Sequence, residues 1–386
     1  MPEQKQYKRI VPSYIKDFKC IGGKCEDTCC AGWSIEVDAG TYDKYKKVEH
    51  AELKNRFSQD IVDCKQKATK ACAAQIKLKD NRCAFLSQDG WCDIYSGLGE
   101  SYLSHTCGLY PRTLNRIHNT MEYSMTFSCP EAARQILLQE KPITFSLSEK
   151  LFNESTISAD VDLNIENPKE WQDYFFIIRD KAIGLLQNRN FYLEERLTHV
   201  EGLMLGITEL ALKGKTKQIP GFVQKYTGEN FTGEREVDAG ILIERMYFLQ
   251  QDMELPSERY AECLDQVLEG LGLTKETATL QQAYKTYLKG ERSCYKDFLE
   301  QKGHILENYL VNYIYERCIP LDGATPIESY EWMLLYYTLI KVHLIGMGLA
   351  TPVGRKVIKE EQAIKLIQSF TKTYDHNDGY LSYFTD

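Results

Sequence analysis

At 386 residues, 43% hydrophobic and 26% charged, the chain has material for about two domains, each large enough to bury its own core. Aromatic residues at 11% argue against intrinsic disorder. A net charge of −8 with no run of Lys and Arg makes non-specific nucleic-acid binding a poor fit, so no nucleic-acid partner is expected, and it mildly favours a lysine-bearing one.

From Met1 to Arg9 the chain is polar and charged, with no apolar run behind it. No secretory leader is expected, and the predicted address is cytoplasmic, where thiols stay reduced. Trp33, Ile35 and Val37 alternate with Ser34, Glu36 and Asp38, which predicts a short strand. A helix is expected from Thr41, with Thr41-Tyr42-Asp43-Lys44 supplying a cap and early negative charge. The basic cluster Lys65, Lys67, Lys70, Lys77 and Lys79 reads as a solvated helix face. Cys64 and Cys72, eight apart, would share a helix face beside Ala68 and Ala71 as core filler. Tyr123 to Phe127 predicts a second strand. In Ser128-Cys129-Pro130-Glu131-Ala132-Ala133-Arg134, proline suits a first helical turn and Glu131 complements the helix dipole, so a helix should run to about Gln139.

Pro142 to Pro168 is polar and reads as a surface crossover with one short strand at its start. Helical stripes follow over Trp171–Gln187, Glu195–Leu212, Ala239–Gln250, Arg259–Leu271, Leu280–Lys289, Tyr295–Cys318, Glu328–Gly348 and Glu360–Tyr374. No repeat of 30 to 50 residues supports a solenoid. Trp332 to Ala350 is the most apolar stretch, but Lys341 and His343 interrupt it, so a buried helix is expected and no membrane partner. The predicted fold class is mainly α. A cysteine-rich, irregular N-terminal domain with short strands (residues 1–145) precedes an all-helical C-terminal domain (146–386).

Ten of the thirteen cysteines fall within the first 129 residues, where an even spread would put about four. One group is Cys20, Cys25, Cys29 and Cys30, on a loop whose glycines let the backbone wrap. The other is Cys83, Cys92, Cys107 and Cys129. Soft sulfur donors with few histidines nearby favour zinc or iron–sulfur chemistry, and the repeated Cys-x2-Cys of zinc fingers is absent. The neighbouring Cys29 and Cys30 are expected to point apart, so both binding one zinc would be awkward. Four thiolates suffice for a [4Fe–4S] cluster; eight supply either two four-ligand sites or one cluster plus a structural pair. Cys263, Cys294 and Cys318 sit singly on helical stripes and read as core. His105, alone near Cys107, is left out of the ligand set.

Pro12-x-Tyr14, Phe18-x-Cys20, Cys25-Glu26-Asp27-Thr28-Cys29-Cys30-Ala31-Gly32-Trp33, Cys83-x-Phe85-Leu86, Cys92, Leu98-Gly99-Glu100, Thr106-Cys107, Tyr110-Pro111-Arg112 and the Ser128–Arg134 run together resemble the flagellin lysine-N-methylase family. A wider set of zinc- or iron-chelating cysteine-rich domains shares the first parts of the pattern. The specific motifs cover about residues 10 to 140; beyond them the likeness is one of length and helical character. The resemblance implies methyl transfer from S-adenosylmethionine to lysines of flagellin, accompanied by a cysteine-bound iron–sulfur cluster. The matching positions are Cys20, Cys25, Cys29, Cys30, Cys83, Cys92, Cys107 and Cys129, with zinc as the alternative metal.

Two departures bear on mechanism. No strand–Gly-x-Gly–helix unit of a doubly wound methyltransferase is evident. The radical-type Cys-x3-Cys-x2-Cys is absent too, because position 32 is Gly32. Arg112 is a candidate for binding a carboxylate such as the donor's methionyl end, and Glu131 and Arg134 stand beside Cys129 as further cofactor-binding candidates. No catalytic residue is assigned. The nine tyrosines from Tyr284 to Tyr337 offer an aromatic lysine channel, but lining helix interfaces is the simpler role for them. The alternatives are a metal- or iron–sulfur-binding protein without methyl transfer, or a zinc-stabilised interaction module.

Overall fold

A computed structural model describes residues 7–33, 35–64, 72–148, 157–233, 235–253, 255, 257–275, 277–351, 356–374 and 383–384. The chain divides into two compact units, Met1–Ala133 with Phe145–Asp160, and Arg134–Thr144 with Val161–Asp386. The fold is mainly α, with short strands confined almost wholly to the first unit.

In chain order the first part comprises β1 (Lys8–Pro12), β2 (Ile35–Val37), α1 (Ala39–Lys47), α2 (Ala51–Asp60), β3 (Ile61–Asp63), β4 (Ala74–Ile76), β5 (Leu78–Lys79), β6 (Arg82–Cys83), α3 (Asp93–Leu98), α4 (His105–Leu109), β7 (Arg112–Ile117), β8 (Thr120–Met125), α5 (Pro130–Leu137), β9 (Phe145–Leu147) and β10 (Ala159–Val161). Five strands form one sheet in the order β10-β7-β8-β1-β9. Its centre is β8, buried along its whole length, antiparallel to β7 and parallel to β1. A three-stranded sheet, β2-β4-β3, packs its apolar residues with Tyr45, Leu53, Phe57, Phe85 and Ile94 into a second core. The two-residue loop of the β5–β6 hairpin is Asp80-Asn81, both at positive φ, as a type I′ turn demands.

Several local expectations change. The cap of α1 is Asp38, whose carboxylate accepts the Thr41 amide, so the helix starts before Thr41. The second strand begins at Thr120, three residues ahead of Tyr123, because the hairpin with β7 extends it. The polar crossover supplies two strands, β9 and β10, to the larger sheet. Cys64 and Cys72 are joined in a disulfide, with the Cys64 amide bonded to Ala73 O beside the β3–β4 pair. Core filler on a helix face is therefore wrong for them. Lys79 lies in β5 and Lys77 between β4 and β5, not on a helix. Lys65, Lys67, Ala68, Lys70 and Ala71 lie outside the described residues.

The second part carries α6 (Phe175–Leu186), α7 (Leu193–Leu212), α8 (Ile219–Lys225), α9 (Ala239–Asp252), α10 (Glu258–Leu271), α11 (Leu280–Gly290), α12 (Lys296–Lys302), α13 (His304–Glu316), α14 (Pro326–Leu349) and α15 (Glu360–Tyr374). The single stripe expected over Tyr295–Cys318 is interrupted: a π-helical turn, Glu291–Tyr295, runs into α12, and the chain restarts at His304 after Gly303. Helix α14 packs against α7, α10 and α15. It is long and apolar enough to cross a membrane by composition, yet 72% of its apolar window is buried within the protein, as expected for a core helix. Cys263, Cys294 and Cys318 are buried, as their stripes suggest. Eight of the nine tyrosines from Tyr284 to Tyr337 are buried at helix interfaces, and only Tyr284 is exposed.

A thiol-rich candidate metal centre

Cys20, Cys25, Cys29, Cys30, Cys83, Cys92, Cys107 and Cys129 are all free thiols of the first unit. Local backbone pairing assembles half of them. The β5–β6 hairpin lies against the Cys29–Gly32 loop: the Cys83 amide donates to Cys30 O at 2.7 Å, the Gly32 amide to Asn81 O at 3.1 Å, and Ala31 pairs with Arg82. A bridge between Leu86 and Cys92 then folds Cys92 back toward Cys83. Cys107, in α4, is set by Ser104 Oγ, which accepts the Cys107 amide. Cys30, Cys92 and Cys107 all pack on the core cluster that contains Cys83.

The sulfurs also collect amide donors. The Gly22 amide points at Cys20 Sγ and the Phe85 amide at Cys83 Sγ, each at 3.4 Å. Cys25 Sγ accepts the Asp27 amide, Cys92 Sγ those of Ile94 and Tyr95, and Cys129 Sγ those of Glu131 and Ala132 at the start of α5. Such bonds stabilise negative charge on sulfur, and they tune sulfur ligands of metals and clusters. Burial pushes the Cys107 and Cys129 thiols up to about 12. Cys29 and Cys83 are raised further, first by hydrogen bonds with Cys30 and then by burial and neighbouring thiols. Without a cation, these groups are neutral thiols at pH 7.

Cys29 and Cys30 do not splay. Their sulfurs stand 3.9 Å apart, because the Thr28 hydroxyl takes the Cys30 amide and Trp33 Nε1 donates to Cys29 O, tightening the turn. Among the described residues no group of three or more His, Cys, Asp or Glu closes around one ion. In kind the donors fit a thiophilic centre: eight free thiols, five with amide support and no histidine among them. Gly32 has φ +88°, in the left-handed region that favours glycine. A cysteine there, completing the radical-type spacing, would be strained, which gives the departure a physical reason.

Arg112 lies over the Phe18 ring at 5.2 Å, and its buried Nε has no hydrogen-bond partner. Burial lowers its pKa, while Glu100 and Cys20 oppose the shift. Glu131 and Arg134 sit half-buried on α5, within five residues of Cys129, and neither lacks a partner. Sequence reasoning missed Asp38. Its carboxylate accepts the amides of Thr41 and His105 and lies 3.7 Å from His105 Nδ1, tying the start of α1 to the helix bearing Cys107. Burial works against that charge, but the amide bonds outweigh it and hold the carboxyl below its usual range. His105 is thus a partner of Asp38. Its position two residues before Cys107 was the available signal, and nothing local marked Asp38 as its partner.

The class that the fold defines is a thiol-rich unit with short strands followed in the chain by a mainly helical one. The profile of the FliB lysine N-methylase C-terminal domain matches residues 179–386, and the chain belongs to the flagellin lysine-N-methylase family. It is 22% identical to a lysine-N-methylase of Salmonella typhimurium and 21% to that of Salmonella choleraesuis, each over 380 residues, 95% of this chain and 91% of the relative. It is 30% identical over 139 residues to the flagellar biosynthetic protein FliU of Salmonella muenchen, 36% of this chain and 81% of that one. No solved structure matches.

Proposed function

We propose that this protein is a cytoplasmic protein-lysine N-methyltransferase acting on flagellin, with S-adenosylmethionine as donor and an iron–sulfur cluster held by cysteines of the first unit. The observation that carries the reading is likeness to lysine-N-methylases over 95% of the chain. In the net reaction a C–N bond forms at the lysine side chain and the donor's S–CH3 bond breaks. S-adenosylhomocysteine and one proton leave.

The residues that would hold the cluster are among Cys20, Cys25, Cys29, Cys30, Cys83, Cys92, Cys107 and Cys129. When bound, a cluster supplies iron for electron transfer or for donor binding. The chain itself supplies the amide bonds that favour thiolate over thiol, and a guanidinium, Arg112, held on Phe18 with an unused donor Nε. That donor suits the methionyl carboxylate. The tyrosines of the second unit act as packing, since eight of the nine from Tyr284 to Tyr337 are buried at helix interfaces.

The test is calorimetry with S-adenosylmethionine on anaerobically purified protein, alongside its absorbance. Binding heat that Arg112→Ala lowers about tenfold or more in affinity, and a broad band near ~400 nm as an iron–sulfur signature, support the proposal. No donor binding by a coloured protein favours the second reading, a cluster protein without methyl transfer, which the amide-supported thiols would serve equally. A colourless protein with stoichiometric zinc contradicts the cluster.

A further inference from the structure

We propose that Glu201 and Tyr226 in the second unit form a binding site for a primary ammonium group, that of the substrate lysine. The inference rests on the methylase reading for the identity of the amine, and names the residues that receive it. Neither residue belongs to the thiol-rich unit, and Tyr226 lies outside the Tyr284–Tyr337 run that packs helix interfaces.

The site is built where the segment after α8 crosses α7. Tyr226 and Phe231 lie against Gly202 of α7, where a Cβ would collide with the Tyr226 hydroxyl and the Phe231 ring. Farther along the segment, the Arg235 amide donates to Glu201 Oε1 at 2.8 Å. Gly233, at φ +81°, faces the other oxygen: a Cβ there would stand 3.5 Å from Glu201 Oε2 and 3.3 Å from Thr198 Cγ2. Thr198 precedes Glu201 by three residues and Gly202 by four, so Glu201 and the Tyr226 hydroxyl flank one strip of the helix. Glu201 is 2% exposed, while Tyr226 and Phe231 are half-buried, which puts the site just beneath the surface.

The hydroxyl is uncommitted. Among the described residues Tyr226 OH has no hydrogen-bond partner although the atom is buried, and the same holds for Nδ1 of the buried His199 under the same segment. Unpaired buried polar atoms cost free energy, so they mark places where a ligand or a water completes the bonding. Burial and then Glu201 push Tyr226 up to about 12, which keeps its hydroxyl neutral. Arg235 turns its guanidinium to Glu331 at 2.6 Å and gives Glu201 its backbone amide. An ammonium suits this arrangement: its N–H groups donate to a carboxylate and to a phenol oxygen. Aromatic neighbours favour a cation, and a low local dielectric strengthens its attraction to Glu201. A flexible four-carbon stem carries a compact ammonium to that depth, where a planar guanidinium needs a wider approach.

The experiment uses the full-length protein and its Glu201→Gln and Tyr226→Phe variants. The probes are a flagellin peptide carrying one lysine and the same peptide with norleucine in its place. Calorimetry reads affinity, methylation kinetics read KM and kcat, and thermal melting checks folding. Glutamine can still accept the Arg235 amide, and phenylalanine keeps the ring on Gly202. Glu201→Gln should weaken lysine-peptide binding about tenfold or more and raise KM to match, with kcat changed less. Tyr226→Phe should weaken it about threefold or more while melting no lower than wild type, because the lost hydroxyl had no partner. Norleucine in place of lysine should cost wild type about tenfold or more. If the hydroxyl holds a bound water only, Tyr226→Phe binds the lysine peptide as wild type does, and the proposal is overturned. Equal binding of the two peptides overturns it, as does a wild type that binds neither. So does a Glu201→Gln variant that loses affinity for S-adenosylmethionine but not for the peptide. Lysine-dependent binding through Glu201 without methyl transfer keeps the site and sinks the methylase reading; methylation with KM unchanged in both variants does the reverse. If Glu201→Gln fails to fold, Tyr226→Phe decides by the same readings.

Discussion

His343 lies wholly buried on α14. Its Nδ1 is 2.7 Å from Leu339 O and its Nε2 is 2.9 Å from Tyr260 OH, which in turn meets Tyr374 OH at 2.8 Å. Because the carbonyl can only accept, Nδ1 carries the proton and Nε2 accepts from Tyr260. Burial lowers the histidine's pKa from 6.5 to about 4. The unfolded chain therefore binds this proton more readily than the folded one. The contribution to stability is complete above pH 6.5 and is lost as pH falls from 6.5 toward 4, by roughly 3 kcal/mol in all. Chemical denaturation of wild type and His343→Phe across that range should show a steeper loss in wild type; parallel curves would refute the assignment. At this scale the sequence showed ten cysteines crowded into the first 129 residues but not that Cys64 and Cys72 pair. A spacing of eight suits a helix face as well as a closed loop, and only the pairing of β3 with β4 brings Cys64 and Cys72 together.

Between elements, two contacts decide how the helices of the second unit pack. Glu307 on α13 is fully buried and accepts a bidentate Arg189 fork, 2.9 Å at each oxygen, plus Arg196 at 2.7 Å. Glu307→Ala would strand the buried Arg196 guanidinium and should cost about 3–5 kcal/mol, read as a drop in denaturation midpoint. A loss under ~1 kcal/mol would show that the network relaxes freely. Where α10 crosses α14, a Cβ on Gly270 would stand 1.9 Å from Gly346 O. Gly270→Ala should destabilise by about 1–3 kcal/mol through overpacking, despite alanine's better helix propensity; a stabilised variant would contradict the crossing. Apolar stripes made most of these helices legible, since residues three and four apart face one core. The break before α13 was not, because apolar residues recur at helical spacing on both sides of Gly303 and a lone glycine does not by itself end a stripe. The strands were read less well: β9 stands where the one crossover strand was expected, but β1 and β10 are short segments that pair across long separations, and no local periodicity encodes such partners.

For the whole molecule, cysteine placement carried the reading from the start. Eight free thiols sit in one unit and three are buried in the other, with one disulfide that the count alone did not reveal. The donor and lysine sites stayed illegible, because neither a dinucleotide-type glycine loop nor a radical-type cysteine triplet marks them. Gly32 shows why the second is missing: its backbone favours glycine there. The most direct measurement is intact-mass analysis of flagellin after incubation with the full-length protein and S-adenosylmethionine under anaerobic, reducing conditions. The account predicts mass increments of one methyl group on lysine, abolished when the donor is omitted. An unchanged flagellin mass, with donor binding demonstrated and the cognate flagellin supplied, would contradict it.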